Sequence, residues 1–254
     1  MNCRPTLAFI LMALLTAGAA AQDGPPVTPY RPSVSSPAQL PAPGQLEFEA
    51  GLLTSRDHGA QRDSVPLLFK LAFSEQWGVL LGAEAFVVAR DEGGAPLRGV
   101  GDTTIVLKRA FALEPGRALG LEVSAKLPTA KHGIGSGKAD VEINTIFSED
   151  IASAHLDANA NLTRLGAWEA GSGRYQTGLS AAFSQPLSAQ WGASAELSGT
   201  HRNAAASTAQ LLVATAYSPN PRVTFDVGVA RSLHSGTPAW SLFTGVVLPL
   251  AKLW

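Results

Sequence analysis

The chain has 254 residues, of which 46% are hydrophobic and 15% are charged, and its formal net charge is -1. A soluble domain carries about 25% charged residues, so this chain has fewer charged residues than a typical soluble protein. Its hydrophobic content is too high for a disordered protein. The near-zero net charge excludes a strongly basic nucleic-acid-binding protein, and the single cysteine, Cys3, excludes a disulfide framework.

The first 21 residues have the three parts of a secretory signal peptide. Arg4 supplies the positive start, residues 7–15 form an apolar run, and the three alanines at 19–21 form a small-residue cleavage site. A membrane anchor is the alternative, but the apolar run is shorter than the roughly 20 residues that a spanning helix needs. The pattern therefore predicts an exported protein whose mature chain begins near Gln22.

A proline-rich segment follows the signal peptide. Seven prolines lie within residues 24–43. Because proline removes backbone hydrogen bonds from helices and sheets, we expect this segment to be extended and mobile. We interpret residues 22–44 as a periplasmic tail or linker, with a proline-rich ligand for a partner as the alternative. The domain that carries the function then spans residues 45–254.

From Gln45 onward, apolar residues recur at every second position, which is the pattern of strands. One of the clearest runs sets Leu121 and Val123 against Glu122 and Ser124. The pattern predicts twelve strands, at residues 45–54, 64–73, 77–90, 99–112, 118–128, 138–147, 151–163, 174–184, 190–200, 208–217, 223–233 and 239–250. Their lengths cluster at about 10 to 14 residues, as long as strands that cross a tilted bilayer.

Alternation alone does not separate a membrane barrel from a soluble barrel or sandwich, but the connections do. Every second connection is tight, at residues 74–76, 113–117, 148–150, 185–189 and 218–222. The others, from 55–63 to 233–238, are mostly longer and rich in Gly, His and charge. Short periplasmic turns and longer external loops are typical of outer-membrane barrels. We therefore predict an all-β fold, a transmembrane antiparallel up-and-down β-barrel of about 12 strands, in the bacterial outer membrane.

Aromatic residues form two predicted belts, which suits a barrel in contact with outer-membrane lipid. Beside the tight turns lie Phe73, Trp77, Phe111, Phe147, Phe183, Trp191, Tyr217 and Phe225, and near the longer loops lie Trp168, Tyr175 and Trp240. The chain ends on Trp254, and a C-terminal aromatic residue is commonly read by the barrel insertion machinery. Lys252 departs from the alternation of the last strand.

The middle of the chain carries the most distinctive motifs. Residues 99–111 read GVGDTTIVLKRAF, and residues 119–144 read LGLEVSAKLPTAKHGIGSGKADVEIN. This stretch resembles the phenol-degradation meta-pathway outer-membrane family, a group of transporter-like barrels. The residues that carry the resemblance are Gly101, Asp102, Lys126, Leu127, Pro128, Thr129, Gly135, Gly137, Lys138 and Asp140. The resemblance implies an envelope barrel that passes small aromatic or other apolar compounds.

Charged residues of the central strands are predicted to face the lumen. They are Asp102, Glu122, Lys126, Lys138, Asp140, Glu142 and Asp157. Opposite charges on neighbouring strands pair across the sheet, so we interpret them as a network that fixes the strand register, with a substrate-binding patch as the alternative. Acids outnumber bases on the inward face, which favours cations. The hypothesis is a narrow, weakly selective pore, or a plugged barrel.

Two other classes of function compete with a pore. Ser153, His155 and Asp157 could form the nucleophilic set of an outer-membrane lipase-type enzyme. Residues two apart on a strand project in parallel and do not converge, so we predict that the protein is not an enzyme. A structural or adhesive envelope barrel is the other alternative. We expect no metal, cofactor or nucleic acid, and we expect outer-membrane lipid and small hydrophobic or aromatic solutes as partners.

Overall fold

The computed structural model describes residues 24–57, 59–233 and 239–254, so the predicted signal peptide lies outside the described residues. The described part of the chain contains no helix long and apolar enough to cross a membrane. Its strands are β1 (Gln45–Asp57), β2 (Ala60–Ala72), β3 (Trp77–Arg90), β4 (Leu97–Gly99), β5 (Thr103–Glu114), β6 (Arg117–Leu127), β7 (Asp140–Ile151), β8 (Ala154–Arg164), β9 (Tyr175–Pro186), β10 (Trp191–Arg202), β11 (Thr208–Asn220), β12 (Val223–Ser232) and β13 (Trp240–Lys252).

Twelve of these strands close into an antiparallel barrel. Each long strand pairs with the next long strand along the chain, and β1 also pairs with β13, which joins the two ends of the sheet. The three-residue β4 pairs with the end of β3. Closure matters because a barrel has no free edge at which backbone groups would meet lipid unpaired. The predicted twelve-stranded up-and-down barrel is confirmed.

The two faces of the sheet differ in chemistry as predicted. In β6, Leu121 and Val123 are 37% and 44% exposed on the outer surface, whereas Glu122 between them is buried. Carboxylates and ammonium groups are also buried on the inner surface, at Glu47, Glu49, Lys70, Lys108, Glu196 and Asp226. A soluble barrel would show the opposite arrangement, so the outer wall is the surface that suits hydrocarbon.

Five connections are tight and lie at one end of the barrel, which we call the tight-turn end. They follow β2, β5, β7, β9 and β11 in the predicted order, but the turn predicted at residues 148–150 lies at residues 152–153, because β7 continues to Ile151. The other end, the long-loop end, carries longer connections, including residues 128–139 and 165–174. One prediction is wrong there. Residues 55–63 are not a long loop, because β1 and β2 continue their pairing as far as Asp57 and Ala60.

A bulge explains the irregular end of the last strand. Leu46 faces Ala251 but Glu47 faces Pro249, so β13 has one extra residue there. The extra residue reverses the alternation beyond Pro249. Lys252 therefore turns inward, where its Nζ donates a hydrogen bond to the carbonyl of Pro43.

The outer wall carries charges that the alternation pattern did not predict, among them Arg231, which pairs with outward Leu211, and Arg109. Arg109 pairs with outward Leu121, and its guanidinium lies 5.0 Å from the ring centre of Trp77 and 4.6 Å from that of Phe111. Both rings belong to the predicted belt at the tight-turn end. The long stem of Arg109 can lie along apolar surface while its charged group contacts aromatic faces near the membrane boundary.

Replacing Val123 with arginine tests which face meets lipid. Val123 pairs with outward Leu107 and Ile143 near the middle of β6. An arginine there should lower the free energy of unfolding in lipid vesicles by about 2 to 4 kcal/mol, because it places a charge in hydrocarbon. The measurement is urea unfolding of the refolded barrel.

The matched control is Ser124→Arg, one position further along β6 on the inner face, beside Glu142. We expect it to fold with a smaller loss of stability. Equal losses at the two positions would contradict the assignment of the faces.

Candidate functional site

The proline-rich residues 24–43, which we call the plug, lie inside the barrel. Near the start of the plug, the N–H of Val27 donates to the carbonyl of Pro221 at the tight-turn end (2.9 Å). Further along, Ser36 reaches Asn159 in the middle of β8, and Pro43 is again at the tight-turn end, beside Lys252. The plug thus enters and leaves through the same end. This differs from the expected mobile tail, because polar groups of the inner wall hold the plug in place.

Inward carboxylates accept the backbone N–H groups of the plug. Glu49 accepts from Tyr30 at 2.8 Å, and Glu196 accepts from Val34 at 2.8 Å and from Ser35 at 2.9 Å. The plug forms no strand, so its N–H groups need other acceptors when they are buried. Hydrogen bonds to ionised carboxylates are among the strongest that a protein makes. These acids of the inner wall therefore bind the backbone of the plug.

Two buried lysines hold the ring of Tyr30. The Nζ atoms of Lys70 and Lys108 lie 4.4 Å and 4.3 Å from the ring centre. Both lysines are fully buried, and Lys70 is neutralised by Glu47 at 3.0 Å and by Glu49 at 2.6 Å. The Tyr30 hydroxyl donates to the carbonyl of Gln39 at 2.6 Å, which joins the two arms of the plug. Tyr30 is thus the central anchor of the plug.

Arg31 is a second anchor. Its Nε and Nη2 donate to the two carboxylate oxygens of buried Asp226 at 3.1 Å and 3.3 Å. The guanidinium lies against Gly51 and Gly245, where an added Cβ would come within 2.7 Å and 2.4 Å of it. The two glycines face each other across β1 and β13 and leave space for the arginine. Paired glycines at inward positions were the sequence signal for this close approach, and our sequence analysis missed it.

A chain of hydrogen bonds holds the innermost part of the plug. Asn159 accepts from the N–H of Ser36 at 3.0 Å and donates to its carbonyl at 2.9 Å. Asn144 Nδ2 donates to Asn159 at 2.9 Å and to Glu122 at 3.0 Å. Lys108 Nζ lies 3.0 Å from Glu122 and also donates to the carbonyl of Pro37. This chain, which we call the amide bridge, links Ser36 to Pro37 through the barrel wall.

The structure brings together part of the predicted charge network, at the long-loop end. Lys126 Nζ lies 2.7 Å from Asp140 and 3.5 Å from Asp102. Each carboxylate also accepts a backbone N–H from a neighbouring loop residue. Lys138 lies apart from them, exposed in the connection before β7, and among the described residues it forms no ion pair within 4 Å.

The remaining predicted residues join other groups. Glu122 belongs to the amide bridge, and Glu142 accepts a hydrogen bond from Thr163 Oγ1 at 2.6 Å. Asp157 accepts a hydrogen bond from Ser148 Oγ, and the same Ser148 oxygen accepts the N–H of Ala38 in the plug at 2.8 Å. The network predicted along the sequence is therefore divided between the long-loop end and the contacts of the plug.

The candidate catalytic set does not assemble. His155 lies between Asp150, at 2.5 Å from Nδ1, and Asp157, at 3.2 Å from Nε2. Ser153 Oγ instead accepts a hydrogen bond from Gln185 at 2.9 Å. Both ring nitrogens of His155 thus face carboxylates, which leaves neither of them to activate the serine.

Cavities lie on both sides of the plug. The outer cavity, of about 490 Å³, opens toward the long-loop end and is lined by Val34 and Ser36 of the plug. A cavity of about 260 Å³ on the other side is lined by Tyr30 and Arg31. Since the plug contributes to the walls of both, it lies between them in the lumen.

The inner wall is not uniformly polar. A third cavity, of about 240 Å³, lies between the plug and an apolar part of the wall at Leu68, Leu80 and Val106. An inward apolar cluster of Leu212, Ala230 and Phe243, with Leu53 and Ala214 beside it, covers the wall near β11 to β13 and β1. Buried polar residues occur on both sides of these apolar areas, from Glu47 and Lys70 on β1 and β2 to Asp226 on β12. The interior is therefore partly apolar, because some inward side chains pack on one another and need no water.

Comparison with solved structures finds outer-membrane channels. An outer membrane channel from Pseudomonas putida F1 is 12% identical, with a TM-score of 0.64 over 88% of this chain and 100% of that one. The NanC porin is 8% identical, with a TM-score of 0.60 over 80% of this chain and 100% of that one. The KdgM porin, in complex with disordered oligogalacturonate, is 10% identical, with a TM-score of 0.58 over 81% and 99%.

Comparison with protein-family models and with curated proteins finds no match, so the resemblance to the phenol-degradation family is not confirmed. The similar structures establish the fold, a closed barrel of the kind found in outer-membrane channels. In such barrels the short turns face the periplasm and the longer loops face outward. In an outer-membrane barrel of this orientation, the plug enters from the periplasmic end.

Arg31→Gln tests the anchoring of the plug. The change leaves the carboxylate of Asp226, which is 1% exposed, without its cation. Because an unpaired buried charge costs about 3 to 5 kcal/mol, we expect the plug to detach in a much larger fraction of molecules. The measurement is limited proteolysis of residues 24–43 in the folded, detergent-solubilised barrel.

Two further variants complete this test. Arg98→Gln, at an exposed position in β4, should leave the digestion rate unchanged. Adding Asp226→Asn to Arg31→Gln removes the unpaired charge and should restore part of the protection. Unchanged protection in Arg31→Gln alone would show that the other contacts hold the plug without this ion pair.

Proposed function

We propose that the protein is a narrow outer-membrane pore or transporter for small organic compounds, closed by its own N-terminal plug. The observation that carries this proposal is that the barrel closes without the plug. Every wall strand pairs with other strands, whereas the plug contacts the wall mainly through hydrogen bonds and ion pairs. Water can replace the hydrogen bonds at a small net cost, and the ion pair of Arg31 with Asp226 is the costly contact that the plug gives up when it leaves an intact wall.

Charge on the inner wall supports a preference for cations. Glu122 and Glu142 line the outer cavity, and none of the described residues that line it is Lys or Arg. A narrow space lined by acids concentrates cations and repels anions. The KdgM porin is described with a bound oligogalacturonate, a polyanion. We do not transfer that ligand to this chain, because the outer cavity has the wrong charge for it.

Aromatic or apolar compounds are the substrates that the resemblance implies, and the inner wall supports them. Leu68, Leu80 and Val106 face a cavity inside the lumen, which Glu49 and Glu122 also line, across from the plug. A wall with one apolar side and one polar side suits compounds that have an apolar body and a polar group. We therefore propose small compounds of this amphipathic kind.

The arrangement around Ser153 and His155 gives no support to a lipase-type enzyme, and no contact in the described residues favours an adhesive role.

Conductance across planar lipid bilayers tests the pore and its plug together. The full chain should give small, cation-preferring currents, because the plug separates the outer cavity from the periplasmic one. A variant lacking residues 24–43 should give currents several-fold larger with the same preference. The measurement is single-channel current with its reversal potential in a salt gradient.

The control is Arg98→Gln in the full chain, which should match the unchanged protein. Large anion-selective currents from the full chain would refute the proposal. Deletion of the plug without any gain in current would show that something other than the plug closes the lumen, provided that heat-modified gel mobility confirms a folded barrel.

A further inference from the structure

The outer cavity has the size and lining of a binding site. Its volume of about 490 Å³ lies within the roughly 300 to 1,000 Å³ of small-molecule pockets. Carboxylates, amides and hydroxyls dominate its lining, and they include Glu122, Glu142, Asn144, Asn159, Asn161, Ser198, Thr200 and Gln210. Amide and carboxylate oxygens accept hydrogen bonds, so the lining is rich in acceptors and has no described cationic side chain.

One buried acceptor in this lining has no partner. Asn144 is 6% exposed, and its Oδ1 accepts no hydrogen bond. The amide is oriented by its Nδ2, which donates to Glu122 and to Asn159, so Oδ1 is the atom left over. Leaving such an acceptor buried and unpaired costs free energy. Oδ1 itself has almost no accessible surface, so a ligand that donates a hydrogen bond removes this cost when the amide turns toward the cavity.

The nearby carboxylates indicate that the donor is positively charged. Glu142 accepts from the Thr163 hydroxyl, and no described Lys or Arg lies within ion-pairing distance of it. Glu122 is paired with Lys108 through one oxygen and accepts from Asn144 through the other. Register places Glu142 opposite Ser124, next to the Glu122 position on β6. A cation placed among these acids would be attracted without the penalty of displacing another cation from Glu142.

We propose that the outer cavity binds the ammonium group of a small organic cation, held by Glu142 and by the free oxygen of Asn144. This inference rests on the proposed pore and names the charged group of its substrate. An ammonium offers three donors and no acceptor, which matches a lining of acceptors. Metal ions are less suited to the site, since the described residues contain no cluster of three His, Cys, Asp or Glu side chains that could ligate one.

The same site is connected to the plug. Asn144 belongs to the amide bridge, which also includes Asn159 and Lys108, the residues that hold Ser36 and Pro37. A cation that draws Glu122 or Asn144 toward itself weakens the bonds on the other side of the bridge. A ligand in the outer cavity therefore favours release of the plug. The size of this effect equals the difference between the ligand's binding free energies for the barrel with the plug released and with the plug in place.

The probe is 1,4-diaminobutane, and its binding to the full chain in detergent is measured by isothermal titration calorimetry. We expect saturable binding that is weakened by about tenfold or more in Glu142→Gln, because an ionic hydrogen bond is lost. The matched control is Glu149→Gln on the same strand, whose carboxylate pairs with Arg117 outside the cavity and should leave binding unchanged. The uncharged 1,4-butanediol and the anionic succinate should not bind measurably.

Equal binding of the diol, or equal affinity in Glu142→Gln and the unchanged protein, would overturn the proposal. A variant with Asn144→Leu separates the two contacts. It should weaken binding of the diamine even when the barrel retains its heat-modified mobility, and unchanged affinity would exclude the amide oxygen.

Conductance distinguishes this proposal from the pore itself. Addition of diamine from the outer side should raise the opening frequency of the full chain. It should not change the opening frequency of the variant that lacks the plug. Saturable binding without any conductance in either form would support the site and refute the pore. Cation-preferring conductance without saturable binding would support the pore and refute the site.

Discussion

The structure depends on the neutralisation of buried charges inside a narrow barrel. Glu47, Glu49 and Lys70 face inward with at most 2% of each residue exposed, and side chains in such a space cannot all be hydrated. Burial of an unpaired charge costs several kcal/mol. Lys70 pairs with both acids, and the plug satisfies their remaining hydrogen-bonding groups, because the ring of Tyr30 and the carbonyl of Thr28 contact Lys70 while the N–H groups of the plug meet the carboxylates. The polar groups of the wall and of the plug are therefore satisfied by one another.

The composition of the plug follows from that role. A chain inside the lumen cannot form a strand with a wall that is already paired, so each N–H that it buries needs a side-chain acceptor. Seven prolines lower the number of N–H groups that need one. The N–H groups of Thr28, Tyr30, Val34, Ser35 and Ser36 are those that meet carboxylates and an amide. Proline thus makes the plug compatible with the interior of a closed sheet.

Alternation along single strands, together with the regular order of tight turns and longer loops, was enough to predict the barrel, since one face must meet lipid over its whole length. The sequence predicted that β1 ends before Asp57 and that β2 begins after Ala60, because the alternation of apolar residues stops there. In the structure, polar residues continue the pairing of the two strands to these positions. The position of the plug was not predictable from local sequence. Its partners, from Glu49 to Asp226, are spread over almost the whole chain and come together only when β1 pairs with β13. The predicted place of Lys138 in the charge network differs from the structure for a related reason. β7 begins only at Asp140, so the lysine belongs to a loop.

Opening of the lumen requires that something replace the partners of the plug. Water can replace the hydrogen bonds of Val34 and Ser36 once these residues move away from the wall, but separation of Arg31 from Asp226 breaks a buried ion pair. The plug is therefore held most firmly near the periplasmic end and least firmly beneath the outer cavity, where Val34 is 59% exposed. A solute that arrives from outside meets the weaker part first. Its effect on opening is limited by the difference between its affinities for the closed and the open lumen. In the proposed pore, selectivity for a solute thus rests on the contacts that the plug leaves free, at Glu142 and Asn144, and the barrel wall does not have to change.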